Sequence, residues 1–497
     1  VAVYTTRAPA RFDPGAFSQF RFTTRALDAN GRVTLRYALD DKLEFVETFE
    51  LPLPTPANEL SDSERKRVQG LLALLHWVAG VSYYKTALPP VVSFEPDASH
   101  PPTVGYALAP LPAAAELLEA LYSEGLAELA YTNRLPGLPR PRFDGGASST
   151  RPATAAARIA QPSDTAQRIL VPIGGGKDSA VALEIVRRSG RELSLFSIGD
   201  APPIARTAAV AKLPHLIASR KLDPILRDLN AAGALNGHVP ITAIVTCVAL
   251  LTAALNGFDA VAMANERSAS AGNVVWDGVE VNHQFSKGLR AERLLSAALA
   301  ELHDEATDAE GATPKLLNAG ATAPQVRSFS VLRPASELAI ARAFARMDAY
   351  HGAFTSCNAV FRLDPSLRAS SWCCDCPKCR FVFLALAPFS EPAHLREVFG
   401  RDLLDDESQF EGFALLSATG GHKPFECVGE EQESLAAMRL LARDERWREH
   451  SVVRRLAAEV LPQFPADAGN PDAVLALSDE HELSADLLAR VSAVLGA

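Results

Sequence analysis

Two short stretches of this 497-residue sequence combine residue types that do chemistry. The first is VPIGGGKDSAVALEIV, Val171–Val186, where three glycines and a lysine separate an apolar run from a helical pattern. Gly174, Gly175 and Gly176 let backbone N–H groups converge on phosphate oxygens, and a helix start adds partial positive charge there. Lys177 contributes a cation and Ser179 a hydroxyl donor. Asp178 is the anomaly, because a carboxylate in a phosphate cradle repels its ligand unless a divalent cation bridges them; it predicts Mg²⁺ between Asp178 and a polyphosphate. The second stretch is SWCCDCPKC, in which Cys373, Cys376 and Cys379 present three thiolates, with Cys357 of TSCNAVF as the natural fourth. Four thiolates satisfy a structural Zn²⁺ with no open position. An iron–sulfur cluster takes the same ligands, and free thiols are the third alternative. Cys374 is left over, and Cys247 reads as a small buried hydrophobe in an apolar helix.

Further candidates lie outside these stretches. Asn265, Glu266, Arg267 and Ser268 follow the apolar run FDAVAMA, which puts them at a strand end. There Glu266 would serve as metal ligand or base and Arg267 would meet phosphate or a substrate carboxylate, a surface ion pair being the alternative for both. His283 and Lys287 are four residues apart and would share one face of a helix and contact one anion. GGHKPFECVGE gathers His422, Lys423, Glu426 and Cys427 on a glycine-entered turn outside regular periodicity. Tyr83, Tyr84 and Lys85 read either as contacts to a sugar, uracil or phosphate or as a packed turn.

The elements that must position these residues follow from pattern. FRFTTRALDANGRVTLRYAL is two alternating runs around Asn30-Gly31, a hairpin signal, and FVETFELPLP adds a third strand. Ser61 with Glu64 forms a capping box ahead of an apolar helical stripe, and a second helical region covers about 113–129. The segment to 140 is therefore expected to be an α+β domain, and the Pro-, Gly- and Ser-rich stretch 141–167 a linker. From 168 to 388 short apolar runs alternate with helices, which predicts an α/β domain with a doubly wound parallel sheet, ligands binding at the strands' carboxyl ends. Residues 389–497 read as mostly helical.

Composition narrows the partners. Lys plus Arg is 49 against Asp plus Glu at 59, a formal charge of -10, which argues against nucleic-acid and membrane partners but allows a local basic pocket. No cationic apolar leader opens the sequence and no run of about eighteen apolar residues occurs, so the expectation is a soluble cytoplasmic chain. Seven cysteines, four of them in CCDCPKC, resemble metal ligation more than a disulfide framework.

GGGKDS resembles the SGGxDS loop of the ATP pyrophosphatases of PP-loop type, with Gly174 in place of the usual serine. The cysteine order is similar to that of the 7-cyano-7-deazaguanine synthases, with a longer gap after the first cysteine. Taken together, GVSYYKTALPP, PIGGGKDS, MANERSASAGN, EVNHQFSKG, SWCCDCPKCRFVF and GGHKPFECVGE resemble the UDP-N-acetyl-α-D-muramoyl-L-alanyl-L-glutamate epimerase (MurL) family, from the N-terminal domain to about Glu431. The resemblance implies a PP-loop α/β domain and inversion of the terminal L-glutamate of UDP-MurNAc-L-Ala-L-Glu, a peptidoglycan precursor, to D-glutamate. It also implies ATP and Mg²⁺ as cosubstrate and metal, an acyl-adenylate, and release of AMP and diphosphate. A functional link to the ligase that adds L-glutamate is a further expectation. Gly174, Gly175, Gly176, Lys177, Ser179, Asn265, Arg267, Ser268 and Lys287 are then expected at the nucleotide or its anions. Asp178 falls to Mg²⁺, and Glu266, His283, His422, Glu426 and Cys427 to proton transfer. The alternatives are a PP-loop enzyme that adenylates a nucleobase or RNA for amidation or thiolation, and a non-catalytic, zinc-stabilised nucleotide-binding scaffold.

Overall fold

The Asn30-Gly31 turn closes an antiparallel pair, with Gly31 at φ +87°, a left-handed conformation that glycine adopts without steric cost. In the computed structural model the described residues are 9, 11–95, 109–143, 167–308, 325–362 and 365–496. Among them the strands are, in chain order, β1 (Gln19–Leu27), β2 (Arg32–Leu39), β3 (Leu43–Glu50), β4 (Val91–Phe94), β5 (Arg168–Pro172), β6 (Glu192–Ile198), β7 (His215–Lys221), β8 (Ala260–Met263), β9 (Val274–Trp276), β10 (Val279–Val281) and β11 (Arg327–Ser330). The helices that matter below are α1 (Asp62–Ala79), α2 (Pro112–Ser123), α3 (Lys177–Arg187), α4 (Pro202–Ala211), α5 (Ile241–Leu255), α6 (Leu289–Asp308), α7 (Glu337–Phe344), α8 (Pro377–Leu386), α9 (Glu431–Arg443) and α10 (Ala485–Leu495).

The α/β class expected from the sequence holds, but the sheet is mixed rather than uniformly parallel. Its order is β11-β8-β5-β6-β7-β3-β2-β1-β4. β5 pairs with β8 in parallel, as the strand–helix alternation predicts, whereas β1–β2, β2–β3 and β3–β7 are antiparallel. β7, sequence HLIASRK, is antiparallel to its neighbour β3 and so departs from the parallel sheet expected for 168–388. It pairs through Thr48↔Lys221 and Glu50↔Ser219 with a strand over a hundred residues away, a contact no local pattern encodes. The expected linker, 141–167, lies almost entirely outside the described residues.

The described residues form two compact units, each assembled from interleaved segments and not from the successive blocks read off the sequence. The first lies within Val1–Leu170, Leu216–Val261 and Phe285–Phe329. Here the capping box forms as expected, Ser61 Oγ accepting from Glu64 N–H and Glu64 Oε2 from Ser61 N–H at 2.9 Å, and α1 packs on α5 and α6. Tyr83 and Tyr84 belong to its core and not to a ligand site. Tyr83 stacks on Tyr37 with centroids 4.9 Å apart, and Tyr84 meets Tyr122 at 5.1 Å. Lys85, also buried, donates to Asn236 Oδ1 at 2.6 Å.

His76 on α1 is enclosed in the same aromatic core, 4.9 Å from Tyr37 and 5.3 Å from Phe22, with Nε2 3.0 Å from the Arg36 carbonyl. Burial, helped by the charge of Arg25, depresses its pKa to about 3. The folded protein thus holds a neutral imidazole that the unfolded chain protonates at its ordinary value near 6.5. This contribution to stability is complete above pH 6.5 and is lost as pH falls toward 3, by about 1.4 kcal/mol per pH unit. Urea titrations between pH 7 and pH 4.5 should therefore show a steeper acid loss for the native protein than for His76→Asn; identical slopes would refute the assignment.

The second unit lies within Val171–His215, Ala262–Gln284 and Ser330–Ala497. In it α3 packs against α7 and α10, and α8 against α7 and α9. The carboxyl end of β5, the β9–β10 hairpin and every described element after Ser330 belong to this unit, and the residues beyond 388 are helical or turn, as expected. His283 is not helical: residues 282–284 follow β10 as a turn and Phe285–Lys287 is a single 3₁₀ turn, so the shared helix face expected for His283 and Lys287 does not exist.

Candidate active site

The glycine loop sits where the strand-end rule puts it, between β5 and α3, and its three glycines have different reasons to be glycine. Gly175 has φ +76°, and a Cβ there would lie 2.7 Å from the Pro203 carbonyl carbon and 2.8 Å from the Ile204 nitrogen at the start of α4. A Cβ on Gly176 would meet Ser356 Oγ at 2.7 Å, whereas one on Gly174 would have nothing within 4 Å. Packing therefore demands Gly175 most strictly and leaves Gly174 exposed and unconstrained. Thr355 N–H donates to the Gly175 carbonyl at 2.9 Å and anchors the loop. Gly176 is the N-cap of α3, and no side-chain hydrogen bond caps that end, which leaves its first-turn N–H groups to a ligand or water. Ser179 Oγ donates back to the Gly176 carbonyl at 3.1 Å.

Lys177 departs from its expected role at ATP phosphate. It is 1 % exposed, and its ammonium is held between the carboxylates of Asp178 and Glu337. Burial alone would lower its pKa, but the two carboxylates outweigh burial and raise it, so the lysine is charged. Glu337 opens α7 and is itself buried; burial raises its pKa, Asp178 and Glu266 raise it further, and Lys177 and Lys378 oppose them. Three carboxylates thus crowd two ammonium groups in one desolvated cluster. Asp178 keeps 20 % of its side chain exposed and gives the cluster access to the loop.

The NERS segment divides in function. Glu266 is fully buried and acts electrostatically on Glu337, with its carbonyl accepting from Arg333 Nη1 at 2.6 Å. Asn265 donates to Ser330 Oγ at 3.1 Å. Arg267 spends its guanidinium on the carbonyls of Ala476 and Val474, both at 3.1 Å, which corrects the expected phosphate or carboxylate contact. Ser268 donates to Glu433 Oε1 at 2.5 Å, a structural bond in place of the expected nucleotide contact. Glu433 also accepts from the Glu337 N–H and the Glu430 N–H, both at 2.7 Å, and so fastens the starts of α7 and α9 together. Burial, with the charge of Glu430, pushes its carboxyl up to about 8.

The GGHKPFECVGE turn is brought to the edge of this cluster. Lys378 of α8 donates from Nζ to the Cys427 carbonyl, and its charge acts on both Glu337 and Glu426. Glu426 accepts from Asn358 Nδ2; burial raises its pKa, with His283 and Lys378 opposing. The His283 backbone N–H donates to Asn273 Oδ1 at 3.0 Å. His422 instead serves its own turn, its Nδ1 lying 3.0 Å from the Lys423 carbonyl and its ring 5.5 Å from Phe425. Lys423 is buried, which lowers its pKa against the pull of Glu430 and Glu433. Lys287 belongs to the other unit and is not part of the site described here.

Sequence reasoning missed Glu337, Glu433 and Lys378. Glu337 reads locally as the first-turn acid of a capped helix and Glu433 as half of a capping box, both common surface features. Only Lys378 carried a signal, its position inside C-P-K-C. The sulfurs of Cys357, Cys373, Cys376 and Cys379 all lie within 4.8 Å of one another, and Cys374 points away, its thiol 3.3 Å from the Phe399 carbonyl. Cys247 is buried in α5, its thiol pushed up to about 12 by burial.

Comparison with known proteins places this arrangement. The family model described as MurL N-terminal domain matches residues 11–308, and that described as MurL C-terminal domain matches residues 353–470. A protein of Micromonospora sp. (strain ATCC 39149 / NRRL 15099 / SCC 1413) named UDP-N-acetyl-alpha-D-muramoyl-L-alanyl-L-glutamate epimerase is 44% identical over 469 residues, 93% of this chain and 95% of the relative. A protein of the same name from Xanthomonas oryzae pv. oryzae (strain MAFF 311018) is 40% identical over 484 residues, 97% of this chain and 98% of the relative.

Proposed function

The chain belongs to the MurL family, and from that premise we propose that it epimerises the terminal L-glutamate of UDP-MurNAc-L-Ala-L-Glu in an ATP-dependent reaction through an acyl-adenylate. The observation that carries the ATP requirement is the N-terminus of α3, which lacks a side-chain cap, is entered by three glycines, and carries Asp178 in its first turn. Diphosphate is the ligand class for such a loop, in the manner of the PP-loop pyrophosphatases. Asp178, with Glu337 and Glu266 behind it, offers the hard oxygen donors that Mg²⁺ prefers; when bound, that ion would neutralise phosphate charge.

The chemistry needs activation because a free carboxylate makes its α-proton very weakly acidic: a carbanion would place a second negative charge beside the first. A carboxylate oxygen attacking the α-phosphorus of ATP forms an O–P bond and expels diphosphate with the electron pair of the broken P–O bond. The resulting mixed anhydride carries no carboxylate charge, and loss of the α-proton gives an enolate. We assign Glu426 and His283, which interact electrostatically, to take and return that proton, with the charge of Lys378 also acting on Glu426. Reprotonation from the opposite face followed by water attack at the acyl carbon yields D-glutamate and AMP.

The test uses substrate labelled with ¹⁸O in the glutamate α-carboxylate, incubated with ATP and Mg²⁺ in deuterated water. One labelled oxygen should appear in AMP, the product should contain D-glutamate, and deuterium should enter the α-position only when ATP is present. Exchange without ATP, or unlabelled AMP beside inverted product, would sink the acyl-adenylate route.

A further inference from the structure

The cysteine knuckle is linked to the GGHKPFECVGE turn through Lys378. Cys376 is the N-cap of α8, Pro377 its first residue, and Cys379 lies in its first turn, so Lys378 stands between two of the four cysteines. The sulfurs of Cys373 and Cys379 are 3.7 Å apart and those of Cys376 and Cys379 3.5 Å apart, with all four cysteines unbridged. A tetrahedron of sulfurs about one ion with bonds near 2.3 Å has edges of about 3.8 Å, so the spacing suits a single zinc. The four cysteines of an iron–sulfur cluster are shared among two or more irons, so they do not all converge within 4.8 Å as these do. The Cys379 N–H donates to Cys376 Sγ at 3.4 Å, and the α8 N-terminus adds partial positive charge, both of which favour thiolates. The left-handed backbone of Cys374, φ 59°, separates Cys373 from Cys376 and sends its own thiol elsewhere.

The same first turn of α8 carries Lys378 inward. Its side chain is 7 % exposed, and its ammonium reaches the Cys427 carbonyl while its charge acts on Glu337 and Glu426. Burying an ammonium group is costly unless its partner is held in place, so the first turn of α8 must be fixed for Lys378 to keep the Cys427 carbonyl. We propose that Cys357, Cys373, Cys376 and Cys379 hold one zinc ion in a closed tetrathiolate site that clamps the first turn of α8 and so positions Lys378 on the Cys427 carbonyl. The site has no open coordination position and takes no substrate; its effect on the reaction is through the lysine.

Two measurements on the full chain test this without ATP or peptide, so their outcome is separate from that of the epimerase reading. Elemental analysis should find about one zinc per chain, with neither iron nor sulfide, in the native protein and in Cys376→His, since imidazole is also a zinc ligand. Cys376→Ala should lose the metal. Amine labelling followed by peptide mass spectrometry should then show Lys378 protected in the zinc-loaded protein and labelled at least about tenfold faster after zinc is stripped by a chelator. A native protein without stoichiometric zinc, or one carrying iron and sulfide, overturns the metal assignment even if the alanine variant fails to fold. Zinc present but Lys378 labelling unchanged by its removal overturns the positioning role.

Discussion

Asp178→Asn is expected to lower AMP formation by about 10²–10³-fold, the usual effect of removing one group that stabilises transition-state charge. The fold should survive. Asn matches the shape of Asp, the side chain is partly exposed, and the Lys177 ammonium retains Glu337 as partner. Removing the Asp178 charge also removes one of the influences that raise the pKa of Glu337, so the cluster loses repulsion as well as attraction. The distinguishing result is a melting temperature close to that of the native protein beside a collapse in AMP production. AMP production within a few-fold of normal would show that Asp178 does not face the phosphates through a metal, and the loop would have to be reassigned.

The largest structural effect is expected at Gly175. Gly175→Ala places a methyl group against backbone atoms of Pro203 and Ile204 at 2.7–2.8 Å and does so at φ +76°, where L-residues are disfavoured. Backbone cannot rotate aside as a side chain can, so relief requires moving either the loop or the start of α4. Strain at the left-handed position and the overlap together should cost about 2–4 kcal/mol of stability and abolish tight ATP binding. Gly176→Ala meets only the end of Ser356 and should cost less. Gly174→Ser meets open space and should be tolerated, because the serine found at this position in PP-loop pyrophosphatases clashes with nothing described here. Urea denaturation and ATP titration of the three variants check the order. A Gly175→Ala protein that binds ATP as tightly as Gly174→Ser would mean that the loop is softer than its packing implies.

Features written into neighbouring residues were legible in the sequence alone. The turn at Asn30-Gly31, the Ser61–Glu64 capping box, the apolar β5 run and the glycine entry to α3 each depend on dihedral preferences and hydrogen bonds within a few residues. The four clustering cysteines were legible for a related reason: C-x2-C-x2-C fixes three of them on one knuckle, leaving only Cys357 to be brought in from upstream. What a side chain faces was not legible. Lys177 looked like a phosphate ligand because loop lysines often are, yet Glu337, 160 residues away, claims its ammonium. Arg267 looked like an anion hook until the carbonyls of Val474 and Ala476, more than two hundred residues away, took its donors. Tyr83 and Tyr84 looked like possible ligand contacts until Tyr37 and Tyr122 enclosed them. β7 joined β3 by a pairing that neither strand's pattern predicts. The physical reason is common to these cases. Backbone preferences are set by the residue and its neighbours in sequence, whereas burial and charge pairing depend on which distant segments the fold brings within a few ångströms. The sequence by itself therefore determined local features such as the glycine entry to α3 and the cysteine knuckle, and only the tertiary structure decided that Lys177 meets Asp178 and Glu337 there.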